Sequence, residues 1–178
     1  LHQMCERGPP PTPVSFSTAI VSCEKAKQFG QAIELIDKMQ TQGVTPDMFC
    51  FSTGISVCTK GGQPQRALLL IDEMSRADMT PNSINIGSTM TALHQNGQWQ
   101  RALLLFEKMR KTGLKPDTFL FSIAIAACMG GGQWQRALLL QNEMRALGMT
   151  PSLECFNALI SVYDKGEQWQ RALSLFVE

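Results

Sequence analysis

The sequence predicts an all-α fold, a right-handed superhelical solenoid of helix–turn–helix units, and three observations carry that expectation. Pro11, Pro46, Pro81, Pro116 and Pro151 recur every 35 residues. Met4, Met39, Met74, Met109 and Met144 keep the same interval, as do Ala32, Ala67, Ala102, Ala137 and Ala172. Within each interval the apolar residues follow a helical period twice, with a chain breaker between the two runs. Self-similarity at such a period is the signature of stacked repeats, each of them one supersecondary unit.

Cutting after each Pro-x pair gives the tail of a preceding repeat at 1–12, then complete repeats at 13–47, 48–82, 83–117 and 118–152. A truncated fifth repeat runs 153–178, and the whole reads as one continuous solenoid domain. The first half of each repeat carries apolar residues at i, i+3, i+4 and i+7, one stripe of a 3.6-residue period. Phe16, Ala19, Ile20 and Cys23 form it in the first repeat, and Phe121, Ala124, Ile125 and Cys128 in the fourth. The second half repeats the pattern with Ala32, Leu35, Ile36 and Met39, and with Ala102, Leu105, Phe106 and Met109. Gly61-Gly62, Asn96-Gly97, Gly130-Gly131-Gly132 and Gly166 separate the halves, glycine being the usual residue on which a helix ends in a left-handed conformation. Gly43, Gly113 and Gly148 close the second helices, and a proline three residues later blocks their continuation. A hairpin of this kind cannot bury both stripes alone, so neighbours must stack, with first helices lining a concave groove. Trp99, Trp134 and Trp169 open second helices, where packing is the expected role.

Composition narrows the class. Hydrophobic residues at 44% and charged residues at 17% exclude a disordered chain. No apolar run approaches the roughly 18–20 residues of a membrane span. The net charge of +1 lacks the basic surplus by which nucleic-acid binders usually announce themselves. Of the six cysteines, Cys23, Cys58 and Cys128 share one place in successive repeats and Cys50 and Cys155 another, which points to reduced core residues. With only His2 and His94 and no CxxC pair, no zinc ligand set is expected, nor any cofactor or small-molecule substrate. No targeting leader is visible, and opening and closing inside a repeat leads us to expect that both natural ends lie elsewhere.

The pattern resembles the pentatricopeptide repeat of the pure 35-residue P type, a TPR-like helical repeat. Phe156-Asn157-Ala158-Leu159-Ile160-Ser161 is similar to that family's YNTLI opening, and Ala102 to Met109 to its ALELFEEM second helix. Gly113-Leu114-Lys115-Pro116-Asp117 is similar to its GIKPD ending. The resemblance implies binding of single-stranded RNA, one base per repeat, in a mitochondrion or chloroplast, in RNA processing, stability or translation. It also implies that the fifth and last residues of each repeat choose the base: Ser17 with Asp47, Ser52 with Asn82, Gly87 with Asp117, Ser122 with Ser152, and the half-pairs Thr12 and Asn157. Ser/Asp implies guanine and Ser/Asn adenine. Gly/Asp leans to guanine, Ser/Ser leaves the base open, and an opening Asn implies a pyrimidine. The implied register is G-A-(G)-N-Y.

Residues two, five, nine and thirteen of a repeat are expected on the face opposite the apolar stripe. Val14, Phe49, Ile84 and Phe119, at the second place, would sandwich bases, and Lys25, Lys60 and Lys165, at the thirteenth, would meet phosphates. Gln95 replaces the lysine in the third repeat, and Glu154 stands at a second place, where it would repel a phosphate chain. Thr12, Asp47, Asn82, Asp117 and Ser152 are equally the residue types that cap helix N-termini, a role that needs no RNA.

The rival reading is a scaffold or accessory subunit that meets protein partners in an organellar complex. The repeated Gln65-Arg66, Gln100-Arg101, Gln135-Arg136 and Gln170-Arg171 are candidate contacts, unless their near identity reflects a shared structural task. Catalysis is not expected. There is no Ser/His/Asp set or carboxylate cluster, and Gly130-Gly131-Gly132 lacks the Lys-Ser/Thr of a phosphate loop.

Overall fold

The computed structural model describes residues 12–174. Met4 and Pro11 of the repeat series, with the rest of the 1–12 tail before Thr12, lie outside the described residues, as do the last four residues of the fifth repeat. Among the described residues there are ten α-helices and no strand. They fall into two compact units, one ending at Pro81 and the other beginning at Asn82.

The first unit holds α1 (Pro13–Lys25), α2 (Phe29–Thr41), α3 (Met48–Lys60) and α4 (Pro64–Arg76). Helix α1 packs on α2 and α3, and α3 also receives α2 and α4. Phe16, Ile20, Phe51, Ile55, Cys58, Ala32, Ile36 and Met39 are buried, as the stripes require, while Ala19, Cys23 and Leu35 are only half-buried. Gly54 sits where a Cβ would come within 3.2 Å of Leu70 and 3.3 Å of Ile36.

The second unit holds α5 (Ser83–Gln95), α6 (Trp99–Lys111), α7 (Thr118–Met129), α8 (Trp134–Ala146), α9 (Leu153–Lys165) and α10 (Trp169–Ser174). Helix α7 touches α5, α6, α8 and α9. It therefore buries far more than a four-residue stripe: Leu120, Phe121, Ile123, Ala124, Ile125, Ala127 and Cys128 are all inside. A helix surrounded in this way is apolar almost all round. Each such large side chain contributes about 2 kcal/mol on leaving water. Phe106 meets Phe121 edge-on, with ring centroids 5.6 Å apart. The buried Gln141 is satisfied by the Tyr163 hydroxyl, which donates to its Oε1 at 3.0 Å.

The described cysteines are free thiols. Burial pushes Cys58 up to about 12 and Cys128 to about 11, so both behave as small apolar groups.

The turns between paired helices correct one expectation about glycine. The residue in the left-handed conformation stands one place after Gly61, Gly131 and Gly166. It is Lys27, Gly62, Gly97, Gly132 or Glu167, with φ of 56, 72, 72, 59 and 56°. In each case the next backbone N–H, always that of a glutamine, closes the turn. Gln63 donates to Cys58, Gln98 to Leu93 and Gln168 to Tyr163, each at 2.8 Å. Gly166 itself has φ of −87° and needs no such freedom.

Its smallness has a different cause, the aromatic residue that opens the preceding second helix. A Cβ on Gly166 would lie 2.4 Å from Trp134 Cδ1, and one on Gly130 would lie 2.4 Å from Trp99 Cδ1 and 2.9 Å from its Cβ. Gly131 lies under the far edge of the Trp99 ring, and Gly61 lies 3.0 Å from Phe29 Cβ by the same measure.

The repeated Arg at the third place of the second helix is also structural. Arg66 pairs with Asp37, Arg136 with Glu107 at 3.3 Å, and the Arg171 guanidinium lies 5.1 Å from the centre of the Trp134 ring. These partly exposed contacts contribute under about 1 kcal/mol each, but they give the repeated arginines an intrachain task.

Replacing Gly130 with Ala is expected to cost about 1–3 kcal/mol through overpacking against Trp99, although alanine is the better helix former. In a double-mutant cycle with Trp99→Ala that penalty should largely vanish, as urea midpoints would reveal. Lys27→Gly, relieving a left-handed lysine, should raise stability by about 1 kcal/mol in the same assay.

Candidate nucleic-acid interface

The last residue of each repeat is an N-cap in an extended conformation, and all five cap in the same way. The side chains of Thr12, Asp47, Asn82, Asp117 and Ser152 accept the backbone N–H three residues on, at 3.3, 2.7, 2.9, 2.9 and 3.3 Å. Thr12 and Ser15 complete a reciprocal capping box. The N–H of Cys50, and then its thiol, hold the Asp47 carboxyl below the usual aspartate range. All but Ser152, which is half-buried, are exposed, so capping leaves their outer lone pairs open to solvent.

The second-place side chains project outward beside those caps. Val14 is 66% exposed, Phe49 57%, Ile84 75% and Phe119 55%, and Glu154 is exposed as well. Large apolar groups so exposed and so regular are unusual on a helix that otherwise buries its apolar residues.

The fifth place departs from the expected face. Ser17 and Gly87 are buried, Ser52 and Ser122 half-buried, and only Asn157 is exposed. The reason is the seam between successive first helices. The Ser17 hydroxyl lies against the Cys50 thiol, and that of Ser122 against Cys155, so the fifth residue of one repeat meets the third of the next. At Gly87 the seam is closed from outside, because a Cβ there would lie 2.4 Å from Cε1 of Phe119. The Phe119 ring occupies the space that a selecting side chain would have used.

The lysines are not equivalent either. Lys25 and Lys165 are exposed, but Lys60 donates to Glu24 at 2.6 Å, and Ser56 donates to the same oxygen at 2.8 Å. Burial works against the Glu24 carboxylate, yet these two donors outweigh it and hold its pKa low. Much of the charge of Lys60 is thereby neutralised within the chain.

In the second unit these side chains converge on a groove of about 610 Å³. Thr91 and His94 of α5 form one wall, Phe119, Ser122 and Ala126 of α7 the other, and Ser152 and Glu154 the end. His94 was missed as a site residue because its place in the repeat follows no chemical pattern. Burial, and then the Lys165 charge, lower its pKa, so the imidazole is neutral at pH 7. Its Nδ1 is buried without a hydrogen-bond partner.

The family described as the pentacotripeptide-repeat region of PRORP matches residues 7–175. The chain belongs to the pentatricopeptide-repeat family. Solved structures agree on the fold. Maize PPR10 in complex with an 18-nt psaJ RNA element superposes with a TM-score of 0.74 at 19% identity, over 98% of this chain and 25% of that one. Arabidopsis thaliana PRORP2, a nuclear proteinaceous RNase P, gives 0.82 at 17% identity, over 93% and 38%. The repeat domain of A. thaliana PRORP1 in complex with tRNA gives 0.77 at 15%, over 93% and 88%. This pentatricopeptide-repeat chain thus spans about a quarter to two-fifths of the length of PPR10 and PRORP2. No curated protein matches it. Among the described residues no helix is long and apolar enough to cross a membrane.

Asp47→Ala and Asn82→Ala should each cost about 1 kcal/mol at pH 7 as lost caps. The two should diverge in acid. A carboxyl with a lowered native pKa stabilises fully above its unfolded value of about 3.9, and that contribution is lost as pH falls through the native value. The Asp47→Ala penalty should therefore shrink below about pH 4, whereas the Asn82→Ala penalty should stay flat, as urea midpoints across pH would record.

Proposed function

We propose that this chain binds single-stranded RNA through the faces of its first helices, selecting bases in an organellar transcript. The observation that carries the reading is the groove of the second unit. Ser122, Ser152, Phe119 and Glu154 lie on two helices and a cap, and they line one cavity. Its volume is within the range of clefts that hold small ligands, about 300–1,000 Å³, which suits an unstacked nucleotide. An exposed aromatic ring beside short hydroxyls is what a splayed base requires. Maize PPR10 and A. thaliana PRORP1, which share the fold, are each described in complex with RNA, which supports the same ligand class here. The base-selecting pairs follow the resemblance: Ser17 with Asp47, Ser52 with Asn82, Gly87 with Asp117 and Ser122 with Ser152.

A second reading, protein contacts along the second helices, has its own observation. Leu69, Leu104 and Leu139 occupy the same place in three repeats and are 61%, 69% and 67% exposed.

One experiment separates the two. The chain would be incubated with a randomised single-stranded RNA pool across a salt series. The RNA reading predicts enrichment of a G-A register, with the adenine preference lost on Ser52→Asn combined with Asn82→Asp. With Lys25 and Lys165 as the exposed thirteenth-place cations, the plot of log affinity against log salt should be shallow, with a slope of roughly −1 to −2. Retention of no RNA at low salt would end the RNA reading in favour of a protein partner.

A further inference from the structure

The groove of the second unit has a hydrogen-bonding polarity that the residue types alone do not reveal. The Thr91 hydroxyl donates to the Gly87 carbonyl at 2.9 Å, and that of Ser122 to the Thr118 carbonyl at 2.8 Å. The Ser152 hydroxyl is hydrogen-bonded to the Glu154 carboxylate, and its oxygen accepts the N–H of Cys155 at 3.3 Å. The protons of these three hydroxyls are committed to the protein. What they leave facing the groove is oxygen lone pairs, together with those of the Glu154 carboxylate not taken by the Ser152 hydroxyl and its own backbone N–H. The neutral His94 brings a single N–H.

We propose that this groove takes one unpaired guanine base and that Glu154 is the residue that selects it. The inference rests on the RNA-binding reading above and names the base at the fourth place, which the Ser122/Ser152 pair leaves open. The groove wall is largely apolar and the few polar oxygens on it are acceptors, which suits a base edge made of donors. Guanine alone presents two adjacent donors on its Watson–Crick edge, N1–H and the N2 amino group, which a carboxylate accepts side by side, as it accepts the paired N–H groups of arginine.

The other bases fit worse for specific reasons. Uracil N3–H is flanked by two carbonyl oxygens that repel a carboxylate. Adenine sets one amino group beside a lone pair, and cytosine does the same. Glu154 is also excluded from a backbone role by charge, since a carboxylate beside a phosphate is repulsive. Its place, held elsewhere by Val14, Phe49, Ile84 and Phe119, is therefore a base-facing one. Phe119, 55% exposed and lining the same groove, supplies the stacking surface. The Nδ1 of His94, a residue of the same groove, is buried without a hydrogen-bond partner.

The test uses the whole chain and fluorescence anisotropy with ten-nucleotide RNAs carrying the core G-A-G-X-U, where X is guanosine, inosine, adenosine, cytidine or uridine. Guanosine at X should bind roughly tenfold tighter than adenosine, the scale of one bidentate base contact. Inosine, which keeps N1–H and lacks the amino group, should fall between them. Glu154→Gln should shrink the guanosine preference and Glu154→Val should abolish it, while uridine affinity at X stays the same or rises. Equal binding of guanosine and adenosine by the parent chain, or a preference that survives Glu154→Val, would overturn the assignment. If none of the five RNAs binds at low salt, the RNA reading itself falls and takes this inference with it.

Discussion

The contact on which the repeats depend is an aromatic residue laid against a residue with no side chain. The Trp99 indole rests on Gly130 and Gly131 and the Trp134 indole on Gly166, and Phe29 meets Gly61 through its Cβ. The ring belongs to the start of one repeat's second helix and the glycine to the end of the next repeat's first helix. The contact therefore fixes the distance between successive hairpins at the end remote from the N-caps. A ring pressed against bare backbone excludes water from the peptide groups beneath it. It also adds large apolar contact, to which aromatic side chains owe most of their weight in packing. The opposite end of each first helix is fixed by its cap, so α3, α7 and α9 are held at both ends. The seam of fifth-place and third-place residues runs between those two anchors.

Such fixing gives the exposed second-place side chains a defined spacing. A last-place Asp, Asn or Ser that caps a helix cannot wander, because its side-chain oxygen is tied to a backbone N–H about 3 Å away. Capping and recognition are thus compatible tasks. The cap consumes one lone pair and orients the rest, which is the preorganisation that limits the entropy lost on binding. Carboxylates are retained on the first helices as at Glu24, where Lys60 answers them within the chain, and at Glu154, where the adjoining Ser152 hydroxyl does so.

Most of the architecture was legible in the sequence because it is written three times over in Pro, Met and Ala at one interval. Helix boundaries, N-caps and the buried second-helix stripes follow from period and residue type. The misreadings have a common origin. A stripe of four residues describes a helix packed on one side, whereas α7 is enclosed by four others, so Leu120 is as buried as Phe121 and Ile123 is buried as well. The fifth place looked solvent-facing for the same reason, since periodicity within one helix cannot register a neighbour 35 residues away. Residue type marks Gly166 and Gly130 as turn residues, whereas the conformational demand falls on Glu167, one place after the first, and on Gly132, two places after the second. In hindsight the correlation was present in the sequence. A glycine appears at that place in each repeat preceded by Phe29, Trp99 or Trp134, and Asn96 appears where the preceding repeat has Pro64. The polarity of the groove was not legible at all, because a hydroxyl's residue type does not say where its proton is directed.

The ring-on-glycine contact sets rules for rearranging such an array. A single 35-residue unit is not a free-standing interchangeable part, because each carries half of two different joints. A tryptophan-headed unit can be followed only by one whose first helix ends in glycine. The 83–117 unit, which ends its first helix in Asn96, would present a side chain to that indole if moved behind another tryptophan-headed unit. Duplication or engineered shuffling of these repeats therefore conserves the join rather than the repeat, and the smallest transferable piece runs from the middle of one hairpin to the middle of the next.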